Sequence, residues 1–241
     1  MSTPVGALRF RPRLWPSLAT LAGLTVLVTL GTWQVERLRW KEDLMAARER
    51  QLAASPVPLP ADGAWPGWDF RQVEVRGAFA HDLEQLYGAM THQGQLGHHV
   101  LTPLVRDDGA ALLVDRGWVP SDRAHPAARR EGQIEGPVAV TGIARYRGDD
   151  RAGWFTPANQ PEQGLWYHYD LPALEQALGL NLLPVVLEAD ATSNPGGLPV
   201  GGLTRITLAN NHLQYAVTWY GLALTLVAVY LAFSLRRGGN E

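Results

Sequence analysis

A histidine with aromatic neighbours is the most chemically distinctive feature of this sequence. At about 100° per residue, a helix that contains His212 places Tyr215 and Trp219 on the same face. The same face continues through Leu222, Leu226 and Tyr230. An imidazole can exchange a proton, form hydrogen bonds or bind a metal. The pattern predicts a surface for lipid, a protein partner or a flat cofactor, and a histidine that only forms hydrogen bonds at a membrane interface is the simpler alternative.

Three other histidines, His92, His98 and His99, lie within eight residues of one another. They could bind copper or zinc, but alternation along a strand puts His98 and His99 on opposite faces, so a solvated loop is the competing interpretation. No G-x-S-x-G, H-E-x-x-H or P-loop motif occurs in the chain. The catalytic signatures that these motifs represent are therefore missing from the sequence.

Two uncharged apolar runs of about 20 residues bracket the chain, and each can cross a bilayer as a helix. The sequence predicts a two-helix transmembrane hairpin that carries one large extracytoplasmic domain. The predicted parts are an N-terminal tail (1–13), a first span (14–33), the domain (34–215), a second span (216–235) and a C-terminal tail (236–241).

Basic residues outside the spans predict the orientation. Arg9, Arg11 and Arg13 precede the first span and Arg236 and Arg237 follow the second, so both termini are expected in the cytoplasm. The basic residues that follow the first span oppose this, but long domains are translocated largely regardless of charge. The short N-terminal tail is unlike a transit peptide, so we expect a bacterial inner membrane protein with its domain in the periplasm.

Charge and cysteine content exclude several function classes. All but five of the 21 basic residues and all but one of the 23 acidic residues lie in the domain, which gives it a net charge of about −6. An acidic domain lacks the electrostatic surface that nucleic acid requires. The chain has no cysteine, which excludes a thiolate copper site and covalent haem attachment.

Short runs rich in β-branched and aromatic residues predict a mainly antiparallel β domain, sandwich or barrel-like. The predicted strands are 72–76, 99–105, 111–119, 138–144, 166–169 and 185–189. Asp170 as N-cap and Gly179 as C-cap predict one helix over 171–178. Helical composition also predicts that the first helix continues beyond the membrane to about residue 54. Trp118 is expected in the core, and the segment 195–202 as a flexible linker.

Small residues form a second stripe on the last helix and a matching stripe on the first. Because small stripes let membrane helices approach closely, we expect these two to form the contact between the spans. The histidine-aromatic face would then be left for lipid, a partner or a cofactor. The stripes are Thr218, Gly221, Thr225, Ala228 and Ala232 on the last helix, and Ala22, Thr25, Thr29 and Thr32 on the first.

Four motifs, in order along nearly the whole chain, resemble the Surfeit-locus family of cytochrome c oxidase assembly proteins. They are Leu30-Gly31-Thr32-Trp33-Gln34 with Arg37, Trp40 and Lys41; Val114-Asp115-Arg116-Gly117-Trp118-Val119-Pro120; Phe155-Thr156-Pro157-Ala158-Asn159; and Asn210-Asn211-His212-Leu213-Gln214-Tyr215-Ala216-Val217-Thr218-Trp219-Tyr220. The last motif is long enough to be specific.

The resemblance implies a non-enzymatic assembly factor for haem-copper oxidase that binds haem a and assists its delivery to the catalytic subunit. His212 occupies the position of the family's histidine implicated in haem a binding, which would make it an axial ligand of the iron, with Tyr215 and Trp219 covering the porphyrin. The partners implied are the catalytic subunit, haem a synthase and membrane lipid. Asn211 departs from the acidic residue that many relatives have before the histidine.

Two other classes of function stay open at this stage. One is a membrane scaffold that stabilises an oxidase assembly intermediate without binding haem. The other is a periplasmic copper handler or an unrecognised enzyme, although the chain has only Met1, Met45 and Met90 to act as thioether ligands.

Overall fold

The protein is described by a computed structural model over residues 8–204 and 210–237. Its residues divide into two units. The helical unit consists of Met1–Ala47 and Thr207–Glu241, and the β unit consists of Arg48–Ile206.

Two long helices dominate the helical unit. Helix α1 spans Leu14–Ala53, so it continues well beyond the apolar run as the sequence predicts, and α3 spans His212–Ser234. Both are long and apolar enough to cross a membrane. A short strand before α1, β1 (Leu8–Phe10), pairs antiparallel with β10 (Leu235–Arg237) after α3.

The two helices contact each other along a seam that repeats every three or four residues. On α3 the buried or half-buried positions are His212, Ala216, Trp219, Ala223, Leu226, Val227, Tyr230 and Ser234. Tyr230 of this set contacts α1, since its hydroxyl lies 2.5 Å from Oγ of Ser17. A Cβ atom added to Gly23 would lie 3.1 Å from Leu226 Cδ2. This spacing of apolar and small residues is typical of helices that cross at a shallow angle.

The prediction about the small-residue stripes is wrong. Every member of both stripes is exposed, and four of the six residues of the histidine-aromatic face lie in the seam instead. Thr25, Thr218 and Thr225 each donate to a carbonyl one turn earlier in their own helix, so their hydroxyls need no partner across the helix pair. Ser17 and Tyr230 form a hydrogen bond between the two helices. This bond places the face of α3 that contains Tyr230, rather than the small-residue stripe, against α1.

The β unit is a mixed sheet of eight strands. They are β2 (Val57–Pro58), β3 (Arg71–Phe79), β4 (Gln85–His92), β5 (Gln95–Val105), β6 (Ala111–Pro120), β7 (Pro137–Tyr146), β8 (Leu165–Trp166) and β9 (Leu182–Ala189). Short 3₁₀ turns lie at Trp65–Trp68, His81–Leu83, Ser121–Arg123, Pro126–Gly132, Pro161–Gln163 and Pro195–Gly197. Five of the six predicted strands are present over their whole predicted length, whereas the strand predicted at 166–169 is reduced to β8, Leu165–Trp166. The unpredicted β4 contains Gly88 at φ 66° beside a register shift, which breaks the alternation that marks a strand.

Five of these strands close into a barrel. The order around the ring is β3-β7-β9-β6-β5, and the ring closes where Ala78 pairs with Val105 and Phe79 with Leu104. Neighbouring strands of the ring are antiparallel except β6 and β9, which are parallel. The mainly antiparallel, barrel-like prediction is therefore confirmed, in the form of a small Greek-key barrel.

Helix α2 (Leu171–Leu178) begins and ends as its caps predict. The Asp170 carboxylate accepts a hydrogen bond from the Ala173 backbone N–H at 3.2 Å, and Gly179 adopts φ 64°. Its apolar face packs on one end of the barrel through Leu174 and Leu178. Trp118 is buried, as predicted, and donates from Nε1 to the Met90 carbonyl at 3.0 Å.

The segment 195–202 is not the flexible linker expected from its composition. Val200 and Trp118 exchange two backbone hydrogen bonds of 2.8 and 2.9 Å, which add a bridge to the edge of β6. Asn194 donates to the Pro199 carbonyl at 2.7 Å. Gly117, at φ 115°, leaves room for this approach, since a Cβ atom there would lie 2.0 Å from the Val200 oxygen.

Candidate functional site

His212 begins helix α3, and its side chain contacts the other long helix. Its Nδ1 lies 2.7 Å from Oε1 of Gln34. Gln34 is a buried polar residue in α1 and His212 is half-buried. Since an amide oxygen can only accept, the imidazole donates its Nδ1 proton. The first and last of the four sequence motifs therefore meet in one side-chain pair.

Two further residues of the first motif support this pair. A Cβ atom on Gly31 would lie 2.9 Å from the ring of Tyr220, so glycine leaves the space that this ring fills. Thr32 Oγ1 and the Tyr220 hydroxyl lie 3.1 Å apart. Gly31, Thr32 and Gln34, within about one turn of α1, thus contact His212 and Tyr220, which lie about two turns apart on α3.

The hydrogen bond to Gln34 determines which imidazole nitrogen is available for ligation. A proton fixed on Nδ1 leaves the lone pair of the neutral ring on Nε2. Metal-bound histidines usually have this arrangement, in which the second nitrogen donates to a carbonyl or carboxylate oxygen that orients the ring. The His212–Gln34 pair is therefore chemically suited to present a single nitrogen ligand.

The other two predicted site residues differ in their surroundings. Trp219 lies in the helix seam and is half-buried. Tyr215 is 54% exposed and flanks the seam, about 60° around the helix from His212. Of the predicted trio, His212 and Trp219 share the inner face and Tyr215 borders it.

The three histidines considered for copper or zinc are held by separate partners. His98 Nδ1 is bonded to the Gly88 carbonyl oxygen, and His99 Nδ1 lies 2.7 Å from Asp115. The ring of His92 packs on Trp118 with centroids 5.2 Å apart. Within residues 8–204 and 210–237, no three His, Cys, Asp or Glu side chains form a group that could hold a metal ion.

A cavity of about 400 Å³ in the β unit is a second candidate site. Its walls include the His99–Asp115 pair and the stacked rings of Tyr87 and Tyr169, whose centroids are 4.5 Å apart. The Arg147 guanidinium lies 4.7 Å from the Tyr169 ring centre and 3.2 Å from Glu188. These groups can form hydrogen bonds with a polar ligand.

Burial controls the ionisation of the two tyrosines in this cavity. It raises the pKa of Tyr169 well above the usual value, an effect that the charge of Asp115 increases and that of Arg147 opposes. Burial also raises the pKa of Tyr87. Both phenols are therefore neutral hydrogen-bond donors at physiological pH.

The β unit also contains a buried cluster of charged residues, which does not line this cavity. Arg129 forms a two-pronged ion pair with Glu84, and both side chains are almost fully buried. Arg116 lies over the Phe79 ring and donates to the Gly132 carbonyl and to Asn194. Burial lowers the pKa of Arg116 to about 10, with Glu84 raising it and Arg129 lowering it further.

Sequence reasoning did not assign Gln34, Gly31 or Tyr220 to the site. One signal for Gln34 was present, because a lone amide at the end of an apolar helix needs a hydrogen-bond partner when it is buried. Nothing in the local pattern indicates that this partner is His212, which lies 178 residues away.

Comparison with known proteins gives one consistent result. The model of the SURF1 family matches residues 21–224. The chain is 41% identical to Surfeit locus protein 1 of Homo sapiens over 212 residues, which cover 80% of this chain and 69% of that protein. It is 38% identical to Surfeit locus protein 1 of Rattus norvegicus, over 86% of this chain and 72% of that one. The SURF1-like protein of Monosiga brevicollis is 38% identical, over 92% and 88%.

Proposed function

The chain belongs to the SURF1 family, and on that premise we propose that it is an assembly factor for haem-copper oxidase that binds haem a through His212. The observation that carries the proposal is the hydrogen bond between His212 Nδ1 and Gln34 Oε1. It supports a ligand role because it leaves the Nε2 lone pair for a metal centre.

The nitrogen that His212 presents suits a haem iron, and the family suggests haem a as the haem. Haem iron accepts a neutral imidazole nitrogen as a ligand. His212 would supply that nitrogen, and Gln34 would orient the ring and hold its proton on Nδ1. Tyr215, at the exposed flank, would cover one edge of the porphyrin with an aromatic surface, and Trp219 would fix the packing of α3 beneath the histidine.

A site of this kind holds its cargo loosely, which suits delivery. His212 contributes one nitrogen, and its position at the start of α3 leaves it half-buried. A ligand bound through one coordination bond and a partly exposed aromatic surface can be passed to a protein that offers a better enclosed site. The receiving protein in this proposal is the catalytic subunit of the oxidase, and haem a synthase is the proposed donor.

The proposed location is a bacterial inner membrane with the β unit in the periplasm. Two helices long enough to span a membrane support the membrane assignment. The arginines at both termini support cytoplasmic ends.

The direct test is His212→Ala in the full chain, purified from cells that make haem a. The variant should reach the wild-type level in membranes and should lose the Soret band of copurified haem, because the axial bond is gone. Oxidase from the same cells should be deficient in haem a, with its copper less affected. His92→Ala is the matched control, since it removes an imidazole of the β unit and should leave haem retention unchanged.

Retention of a full complement of haem with an unchanged spectrum by His212→Ala would refute the ligand role. A scaffold that stabilises the oxidase intermediate without touching haem would then be the better account. Loss of haem from His92→Ala but not from His212→Ala would point to the β unit instead.

A further inference from the structure

The most exposed large apolar side chains of the described residues lie side by side at the tip of one loop. Trp154 is 95% exposed and Phe155 is 94% exposed. They belong to the loop between β7 and β8, and Phe155 begins one of the four sequence motifs. The haem proposal gives this pair no role.

The tip has a defined shape. The Gly153 backbone N–H donates to Thr156 Oγ1 at 2.9 Å, and the Thr156 N–H donates to the Gly153 carbonyl at 3.0 Å. These two bonds close a tight turn with Trp154 and Phe155 at its two central positions. Both rings are therefore presented outward by the backbone.

The base of the loop is also fixed. Asn159 Oδ1 accepts hydrogen bonds from the backbone N–H groups of Tyr167 and His168 at 2.8 and 3.2 Å. On the other side, Asp150 Oδ2 accepts from the Tyr169 N–H at 3.1 Å. Hydrogen bonds therefore hold both ends of the loop to the rest of the β unit. The two aromatic side chains are exposed in a loop that has a defined structure.

The composition of the tip suits a lipid interface. Residues 152–161 contain no acidic, basic or histidine side chain, so insertion would require no charged group to leave water. Tryptophan and other aromatic side chains favour the boundary between headgroups and acyl chains. Two protruding rings can enter a lipid bilayer without a complementary pocket, which a protein partner would have to provide.

In the sequence, the β unit lies between two helices that are long and apolar enough to cross a membrane. Covalent attachment raises the effective concentration of the bilayer surface, so a two-residue anchor that would be too weak in a free protein can engage. We propose that the Trp154–Phe155 turn inserts into the interfacial region of a phospholipid bilayer and acts as an additional membrane contact of the β unit.

The test exploits the absence of native cysteine. Phe155→Cys provides a unique site for an environment-sensitive fluorophore such as NBD, in the full chain reconstituted into phosphatidylcholine–phosphatidylglycerol vesicles. Trp154→Cys gives a second, independent site. The control is Asp122→Cys, because the Asp122 side chain is 79% exposed and lies on a different loop. All three positions are exposed, so circular dichroism of the labelled proteins should match the wild type.

We expect a blue-shifted NBD emission at positions 154 and 155 and several-fold stronger quenching by doxyl-labelled lipid than at position 122. Emission and quenching equal to those of the position 122 control would overturn the proposal. A blue shift without lipid quenching would also overturn it, since that result indicates burial against protein.

Discussion

Nδ1 of His212, the first residue of helix α3, donates a hydrogen bond of 2.7 Å to Oε1 of Gln34 in helix α1. The two residues are 178 positions apart in the chain. The pair fixes the tautomer of the imidazole, whereas the contacts of Ser17 with Tyr230 and of Thr32 with Tyr220 also join the two helices.

Replacing Gln34 should change haem binding through His212. Gln34→Leu keeps the side chain's approximate size but removes the acceptor, so haem affinity should fall about 10- to 100-fold while protein level is maintained. Gln34→Glu retains an acceptor, places a carboxylate against the Nδ1 proton so that the imidazole donates more electron density to a bound iron, and should lower the reduction potential of bound haem. Haem titration and redox titration measure these effects. Equal behaviour of both variants and the wild type would show that Gln34 does not position His212.

Glycine at position 31 should be required for helix packing. A methyl group there lies 2.9 Å from the Tyr220 ring, which has to turn away and give up its contact with Thr32, and this loss opposes the helix propensity that alanine gains. Gly31→Ala should therefore lower the thermal midpoint in detergent micelles relative to the control. Gly221→Ala is the matched control, because nothing lies within 4 Å of its added Cβ and alanine favours the helix. If Gly221→Ala lowered the thermal midpoint and Gly31→Ala did not, the small-residue stripe of α3 would be the surface that contacts α1.

The buried Glu84–Arg129 pair should be essential for the stability of the β unit. Glu84→Gln leaves the Arg129 charge unpaired beside Arg116, and breaking a buried pair in this way costs about 3–5 kcal/mol. The control is Glu74→Gln, which breaks the exposed Arg76–Glu74 pair and should cost less than about 1 kcal/mol. Urea unfolding followed by circular dichroism compares the two. Similar costs for both variants would contradict the burial of the Glu84 pair.

Tyr169 should make the protein less stable at alkaline pH. Unfolded tyrosine ionises near pH 10, whereas burial raises the pKa of Tyr169 well above that value. Its contribution is complete below about pH 10 and is lost as pH rises towards the folded pKa, because only the unfolded chain then releases the proton. The free energy of unfolding of the wild type should fall more steeply above pH 10 than that of Tyr169→Phe. Parallel curves would show that Tyr169 ionises normally in the folded state.

Local patterns in the sequence predicted most of the secondary structure. Helix α2 was predicted to the residue because both of its caps, Asp170 and Gly179, are adjacent to it in the chain. The continuation of α1 and the five predicted strands that are present in full follow from hydrophobic periodicity and turn residues, which are also local. Strand β4 was missed because Gly88 interrupts its alternation.

The sequence alone thus determined the two apolar helices, the β character of the domain between them and the family, and it singled out His212 as a candidate ligand. Only the tertiary structure decided which helix faces form the seam, that five strands close into a ring and that Gln34 holds His212. The reason is physical. Periodicity and caps act over a few residues, whereas the contacts of Gln34 with His212 and of Ala78 with Val105 join distant segments, whose partners are selected by packing and by hydrogen-bonding groups that would otherwise be unsatisfied.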